Sequence, residues 1–214
     1  MVFNTRLPGK ANMKNKSVVL FAARPVGLEL LKTLVANRFE VKAVFTHSRP
    51  PKGEIGIMSG NNHIRPEFLE FFCIRGHGDT YIPIHDVQSK KDSIQLQCVW
   101  DYRPFDYLIC CSYRYHISPY VLALPTIAAI NLHRGKLPEY KGAEPIRQAV
   151  ENGDTTFIAT AHLMTNVIDD GEILATTWVY SDANNIEMVK ARLHIRFPLL
   201  MFDAMLQAEY GREK

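Results

Sequence analysis

Apolar positions in this chain alternate between short solid runs and longer stripes of helical period. Ser17-Val-Val-Leu-Phe-Ala22 is a β-rich apolar run closed by polar neighbours, the pattern of a parallel strand buried on both faces. After a turn at Ala23-Arg-Pro25, Leu28, Leu31, Leu34 and Val35 recur at helical spacing. Val41-Lys-Ala-Val-Phe-Thr46 then predicts a second strand. Strand, helix, strand is the opening of a doubly wound sheet.

Farther on, residues 49–62 are rich in glycine, proline and asparagine and predict an exposed loop. Pro66 to Phe72 reads as helix, Tyr81 to Ile84 as a short strand, and Ser89 to Trp100 as a helix with a serine N-cap. Tyr107 to Cys111 and Ala128 to Leu132 predict two more buried strands. Phe157 to Leu163 and Ile173 to Tyr180 read as longer strands joined through a tight turn at Asp169-Asp-Gly171. Ile186, Val189, Leu193, Phe197, Leu200, Met201 and Ala204 form a helical stripe that packs on the core; Pro198 inside it should kink or divide the helix. The expected fold is therefore α/β, a Rossmann-like, doubly wound and mostly parallel sheet with a short C-terminal strand and helix extension. Its divisions fall at a disordered basic leader over 1–16, the main domain over 17–180 and a helical extension over 181–214.

Composition narrows the picture further. The 214 residues are 47% hydrophobic and 22% charged, which suits one soluble domain with a sizeable core. The net charge of +3 is more than accounted for by Arg6, Lys10, Lys14 and Lys16. The remaining body is not basic, so nucleic acid is not indicated as a partner. No apolar run is long enough to span a bilayer and no secretion signal opens the chain. The expectation is a cytoplasmic protein without a membrane partner. Its four cysteines, Cys73, Cys98, Cys110 and Cys111, form no C-x-x-C pair. A metal knuckle is therefore not expected, and Cys110 and Cys111, in an apolar run, read as reduced, buried thiols.

No G-x-G-x-x-G follows the first strand and no phosphate-binding G-x-x-x-x-G-K-[ST] occurs. A sheet of this type lacking that fingerprint must use another ligand, held beyond the carboxyl ends of its strands. Asn131-Leu-His133 closes one strand, and two residues apart on an extended chain point to the same face. A polar Asn ending a buried strand needs a partner.

Five motifs in order, Asn131-Leu-His133, Leu137-Pro138, Tyr140 with Gly142, Asn152-Gly-Asp154 and Asp169-x-Gly171, resemble the folate-dependent formyltransferase family. The resemblance covers roughly residues 17–180. It implies transfer of a formyl group from 10-formyltetrahydrofolate, as co-substrate and without a metal, to a primary amine. Asn131 and His133 would donate hydrogen bonds to the oxyanion formed on attack, and His133 would also move protons. Asp169 would orient the imidazole or take the surplus amine proton. Asp170 is the alternative should the loop alignment slip by one, and His162 reads as a packed strand histidine. The resemblance assigns the donor pocket to Ser112, Tyr113, Arg114, Tyr115 and Ile117 with Thr165, Asn166 and Val167. The first of these segments reads equally as a strand-to-helix loop with aromatic packing.

The loop after the histidine departs from the family pattern. Gly135 stands where serine is common and Lys136 where leucine is, so the acceptor is the open question. Arg134, Lys136 and Lys141, with Gly135 allowing close approach, are candidate contacts for a diphosphate; the other reading is a solvated basic loop. Ser112-Tyr-Arg-Tyr115 is similar to sugar-modifying members, so the expected partner is a small-molecule amine, a nucleotide-linked amino-deoxysugar. Glycinamide ribonucleotide ranks lower because the turn Ala22 to Gly27 is glycine-poor. Methionyl-tRNA ranks lower because no basic C-terminal domain follows Lys214. A silent folate- or nucleotide-binding module is the remaining alternative, and the oligomeric state is left open.

Overall fold

The computed structural model describes residues 13, 15–23, 25–47, 58–59, 62–63, 82–87, 98–182 and 185–211. Among these residues, seven strands form the main sheet: β1 (Ser17–Ala22), β2 (Glu40–Thr46), β5 (Ile84–Asp86), β6 (Tyr107–Cys111), β7 (Ala128–His133), β8 (Thr156–Leu163) and β9 (Ile173–Tyr180). Two further strands, β3 (Met58–Ser59) and β4 (Asn62–His63), make a separate ribbon. The helices described from end to end are α1 (Val26–Ala36), α2 (Pro119–Leu122), α3 (Pro145–Glu151) and α4 (Ile186–Tyr210).

The sheet runs β5-β2-β1-β6-β7-β8-β9. Strands β5, β2, β1, β6 and β7 pair in parallel, and β8 and β9 are added antiparallel. From β1 the chain winds outward first to β2 and later, on the other side, to β6 and β7. The order therefore reverses between β1 and β6, and a crevice opens at the carboxyl ends beside that point. The parallel strands carry apolar groups on both faces because both are covered. Val18, Leu20, Tyr107, Ile109 and Ile130 pack with α1 and α4 on one side. Val19, Phe21, Phe45, Leu108 and Ala129 pack with Val99, Phe105 and Val121 on the other. Each such Leu, Ile or Phe stabilises the fold by about 1.5–3 kcal/mol relative to exposure.

The structure moves several expected boundaries. Pro198 does not divide the C-terminal helix: α4 runs unbroken from Ile186 to Tyr210 around it. Buried Val189, Leu193 and Phe197 before the proline and Leu200, Met201, Ala204 and Met205 after it anchor both halves, which outweighs a cost of about 3 kcal/mol. For the same reason α4 is no appendage; it supplies eight of its side chains to the core. At the other end, Met13 is buried and Lys16 pairs with Glu209 at 2.9 Å. The leader thus cannot extend to residue 16, and its first twelve residues lie outside the described residues. The short strand expected at Tyr81–Ile84 begins at Ile84 and ends at Asp86, because its partners on β2 are Val44 to Thr46. The helix expected over Pro66–Phe72 lies outside the described residues. Of Ser89–Trp100 only 98–100 are described, as helix, and of the loop at 49–62 only β3 and β4 are described.

Candidate active site

The carboxyl end of β7 carries the polar residues of its strand. Asn131 and His133 point to one side, and β8 lies antiparallel alongside, with Asn131 opposite His162 and His133 opposite Thr160. The third contribution comes from the connection between β8 and β9, residues 164–172, which is a loop and not the tight turn expected. Two features hold it. Asp169 adopts a left-handed backbone (φ +53°), which Asp tolerates better than most residues. Gly171 runs so close to β8 that any Cβ there would overlap the Leu163 carbonyl.

These elements bring four polar side chains together. Asn131 Nδ2 donates to His162 Nε2 at 3.1 Å and to Asp169 Oδ1 at 3.3 Å. His133 Nδ1 lies 3.4 Å from Asp169 Oδ2, which also accepts from the Gly142 backbone N–H at 2.8 Å. His133, His162 and Asp169 are all buried. His162 is the participant missed in the sequence. It is packed in its strand, as expected, but its ring edge also lies in the cluster. Only the antiparallel β7–β8 register places it beside Asn131.

Hydrogen-bond partners decide where the protons sit. His133 Nε2 is 2.7 Å from the Tyr140 carbonyl, and His162 Nδ1 is 2.8 Å from the Leu163 carbonyl. A carbonyl only accepts, so each of those nitrogens carries a hydrogen. In the neutral ring His133 is thus left with a lone pair at Nδ1. Burial pushes His133 below the usual imidazole range, against the opposing pull of Asp169 and of the Tyr140 hydrogen bond. Burial pushes Asp169 the other way, but the neighbouring His162 and His133 rings and the Gly142 N–H outweigh it and hold the carboxyl below the usual carboxylate range. Near neutral pH the cluster is therefore a carboxylate beside a neutral imidazole with a free basic nitrogen.

Both side-chain hydrogens of Asn131 already have acceptors. Donation to an oxyanion, as expected from the sequence, would have to replace one of them, and the 3.3 Å contact to Asp169 is the longer.

A cleft of about 620 Å³ opens beside the cluster and is lined by Asn131, His133, His162 and Asp169. Ser112, Tyr113, Arg114, Tyr115, Ile117, Thr165 and Val167 line it too, whereas Asn166 is exposed and does not. Of the four residues expected to meet a diphosphate, only Arg134 lines the cleft. Lys136 is paired with Glu139 at 2.6 Å, and Lys141 is paired with Asp170. Gly135 sits where a Cβ would come within 2.8 Å of His133 Nε2 and 2.6 Å of the Pro145 Cβ. Its small size thus serves packing behind the histidine and not approach by a ligand. Asp170 is exposed, outside the cluster. Among the described residues no three His, Cys, Asp or Glu side chains are placed to hold a metal ion. No helix there is long and apolar enough to cross a membrane.

Comparison with known proteins bears on the whole arrangement. A methionyl-tRNA formyltransferase from Bacteroides fragilis (strain YCH46) is 26% identical over 197 residues, covering 90% of this chain and 57% of that protein. One from a Nitratiruptor species is 31% identical over 157 residues, covering 73% and 48%. The chain thus spans about half the length of the curated relatives it matches. Among solved structures, a formyltetrahydrofolate deformylase from Pseudomonas syringae superposes with a TM-score of 0.70 at 20% identity over 92% of this chain and 62% of that one. A phosphoribosylglycinamide formyltransferase from Streptococcus pneumoniae does so with 0.65 at 19% identity, over 91% and 99%. Those two likenesses establish the shared α/β fold. The sequence pattern described as formyl transferase matches residues 16–196, from the first strand into the first half of α4. With most of its length matched, the chain belongs to the formyl transferase family.

Proposed function

We propose that this chain transfers a formyl group from 10-formyltetrahydrofolate to the primary amine of a nucleotide-linked amino-deoxysugar. The observation that carries the reading is the convergence of Asn131, His133, His162 and Asp169 on one wall of the cleft. The cleft suits the donor: Tyr113, Tyr115, Ile117 and Met164 give flat apolar surface beside Ser112 and Thr165 hydroxyls, as a polar-edged pterin ring requires. Bound there, 10-formyltetrahydrofolate supplies the activated formyl carbon.

The chain's own groups manage charge and protons. As the amine nitrogen bonds to the formyl carbon, His133 Nδ1 takes the proton that nitrogen must shed, and Asp169 at 3.4 Å stabilises the imidazolium. Asn131 turns a hydrogen from Asp169 to the oxygen that gains charge. Loss of one such donor typically costs about 2.7–4 kcal/mol of transition-state stabilisation. When the carbonyl reforms, His133 passes its proton to the departing folate nitrogen and returns to neutral. The amine has lost one hydrogen and the folate nitrogen has gained one. No covalent enzyme intermediate is needed, and holding both reactants in one cleft supplies much of the rest.

Two observations favour a nucleotide-linked acceptor. Arg134 follows the histidine and faces the cleft, where its planar fork can meet phosphate oxygens. By contrast, the turn after β1 has few backbone donors to spare among its described residues. Pro25 has no N–H, and the Ala23, Gly27 and Leu28 N–H groups already bond to Cys111, Ala23 and Pro25 carbonyls. The test is turnover at saturating donor with several amino-sugar nucleotides, glycinamide ribonucleotide, methionyl-tRNA, and no acceptor. Turnover with amino-sugar nucleotides is expected. Efficient use of glycinamide ribonucleotide or methionyl-tRNA alone, or donor hydrolysis that no amine accelerates, would overturn the acceptor assignment.

A further inference from the structure

Tyr140 and the run Asn152-Gly-Asp154 take no part in the proton transfer, yet the fold joins them directly behind His133. Asn152 closes α3, and Gly153 follows it in the left-handed region (φ +79°). The Gly153 and Asp154 N–H groups donate back to the Val150 and Ala149 carbonyls, both at 3.0 Å. That pair of bonds is a glycine helix stop, and it brings the side chains on either side of the glycine to one partner. The Tyr140 hydroxyl donates to Asp154 Oδ2 at 2.6 Å, while Asn152 Nδ2 donates to the hydroxyl oxygen and to Asp154 Oδ1, both at 3.0 Å. A phenol O–H on a carboxylate is charge-assisted and among the stronger hydrogen bonds. Buried Pro145, Ile146 and Ala149 fix α3 itself to the core.

Through its backbone the same tyrosine reaches the cluster. Its carbonyl accepts from His133 Nε2 at 2.7 Å, and two residues on the Gly142 N–H donates to Asp169 Oδ2 at 2.8 Å. Residues 140–142 therefore touch both members of the His133–Asp169 pair. A neutral imidazole has one ring hydrogen, and two acceptors compete for it: the Tyr140 carbonyl at Nε2 and the Asp169 carboxylate, 3.4 Å from Nδ1. The carboxylate is the stronger acceptor, so the hydrogen stays on Nε2 only while the carbonyl is held close. Were the carbonyl to drift, the hydrogen would pass to Nδ1 and the ring would lose the lone pair that receives the amine proton. The Tyr140 N–H bonds to the Lys136 carbonyl at 2.8 Å, within the loop itself, whereas the hydroxyl ties the residue to the end of α3.

We infer that Tyr140 and Asp154 are positioning residues for His133, their hydrogen bond holding the Tyr140 carbonyl on Nε2 and so keeping Nδ1 the basic nitrogen. The inference rests on the reading of His133 as the proton acceptor in formyl transfer. Asn152 steadies the bond by donating to both of its members.

Two readouts test this. Proton–nitrogen correlation NMR on isotope-labelled histidine shows which His133 nitrogen carries the hydrogen in the free protein at mildly alkaline pH, with His133→Ala assigning the signal. Steady-state turnover is measured on the same variants. Wild type is expected with the hydrogen on Nε2. Tyr140→Phe and Asp154→Ala should each gain the Nδ1–H form and lose about tenfold or more in kcat, with donor KM little changed. Asp154→Asn keeps an oxygen acceptor and should stay near wild type in both readouts. The two damaging changes together should be no worse than either alone. If one variant fails to fold, the other still decides. A wild type with its hydrogen on Nδ1, a Tyr140→Phe protein that keeps the Nε2–H form alone, or losses that multiply in the double variant would overturn the inference. Absence of transfer to any acceptor would count against the proposed function alone, because the ring hydrogen is read without substrates.

Discussion

The turns after β1 and after β7 leave the same sheet at the same end, yet they have opposite characters. After β1 the Ala23, Gly27 and Leu28 backbone donors are consumed locally, and Gly27 is pressed against Ala22, where a Cβ would stand 2.7 Å from the alanine's own. After β7 polar groups are kept at hand: a basic imidazole nitrogen, a carboxylate, an amide and Arg134 all face one cleft. The difference arises from the neighbours. Strand β1 lies between parallel strands covered on both faces, so its end can close over apolar side chains. Strand β7 borders antiparallel β8, whose connection returns Asp169 to the carboxyl end. A carboxyl-end position on such a sheet is thus only an opportunity; what feeds the neighbouring strand decides whether chemistry can sit there.

Breaking the polar side of this comparison should have the largest effect. Asp169→Asn removes the charge that stabilises the His133 imidazolium, and turnover should fall about 10²- to 10³-fold. Asp170→Asn loses only an exposed pair with Lys141, worth about 0–1 kcal/mol, and should retain most activity. Steady-state kinetics on the two variants at matched melting temperature checks both. A more damaging Asp170→Asn would show that the loop acts in a different register.

Acidity should act through the same groups. The His133 pKa is depressed, so the neutral base is fully present above the ordinary imidazole value near 6.5. It is lost as pH falls through the lower, folded value. kcat/KM should therefore hold steady down to mildly acidic pH and then drop about tenfold per pH unit. Protonating His133 also favours the unfolded chain. Asp169 adds stability that persists to lower pH, because its own pKa is depressed as well. Activity should fail before the fold does, which parallel pH series of kcat/KM and thermal melting would show.

Smaller effects sharpen the contrast. Arg134→Ala should raise the acceptor KM about tenfold, the worth of one charge-assisted contact, with kcat and donor KM little changed. Gly27→Ala, on the silent side, should cost about 1–3 kcal/mol of stability through overpacking while kcat of the folded enzyme is preserved. A selective loss of acceptor affinity in Gly27→Ala would show that the first turn binds ligand after all.

The strands and main helices were legible in the sequence because solid apolar runs and helical stripes leave local traces, as at Val18–Ala22 and Leu28–Val35. Asn131 and His133 were legible from their alternation at a strand end, and Asp169 only through the resemblance that supplies the Asp-x-Gly pattern with Gly171. What escaped depended on partners distant in sequence. His162 acquires its place only through the antiparallel register with β7. Lys136 and Lys141 look like free cations in the sequence, but Glu139 and Asp170 neutralise them in the fold. Pro198 signals a broken helix, which packing on both sides overrides.

The central claim is that the free Nδ1 of His133 moves the protons of formyl transfer. The most direct test is the rate of tetrahydrofolate formation by His133→Ala beside wild type, at saturating donor, with donor affinity and melting temperature measured on the same preparations. The account predicts a loss of about 10²-fold or more, with donor affinity and folding retained. A variant that folds, binds donor and keeps more than about a tenth of wild-type turnover would contradict a role worth several kcal/mol.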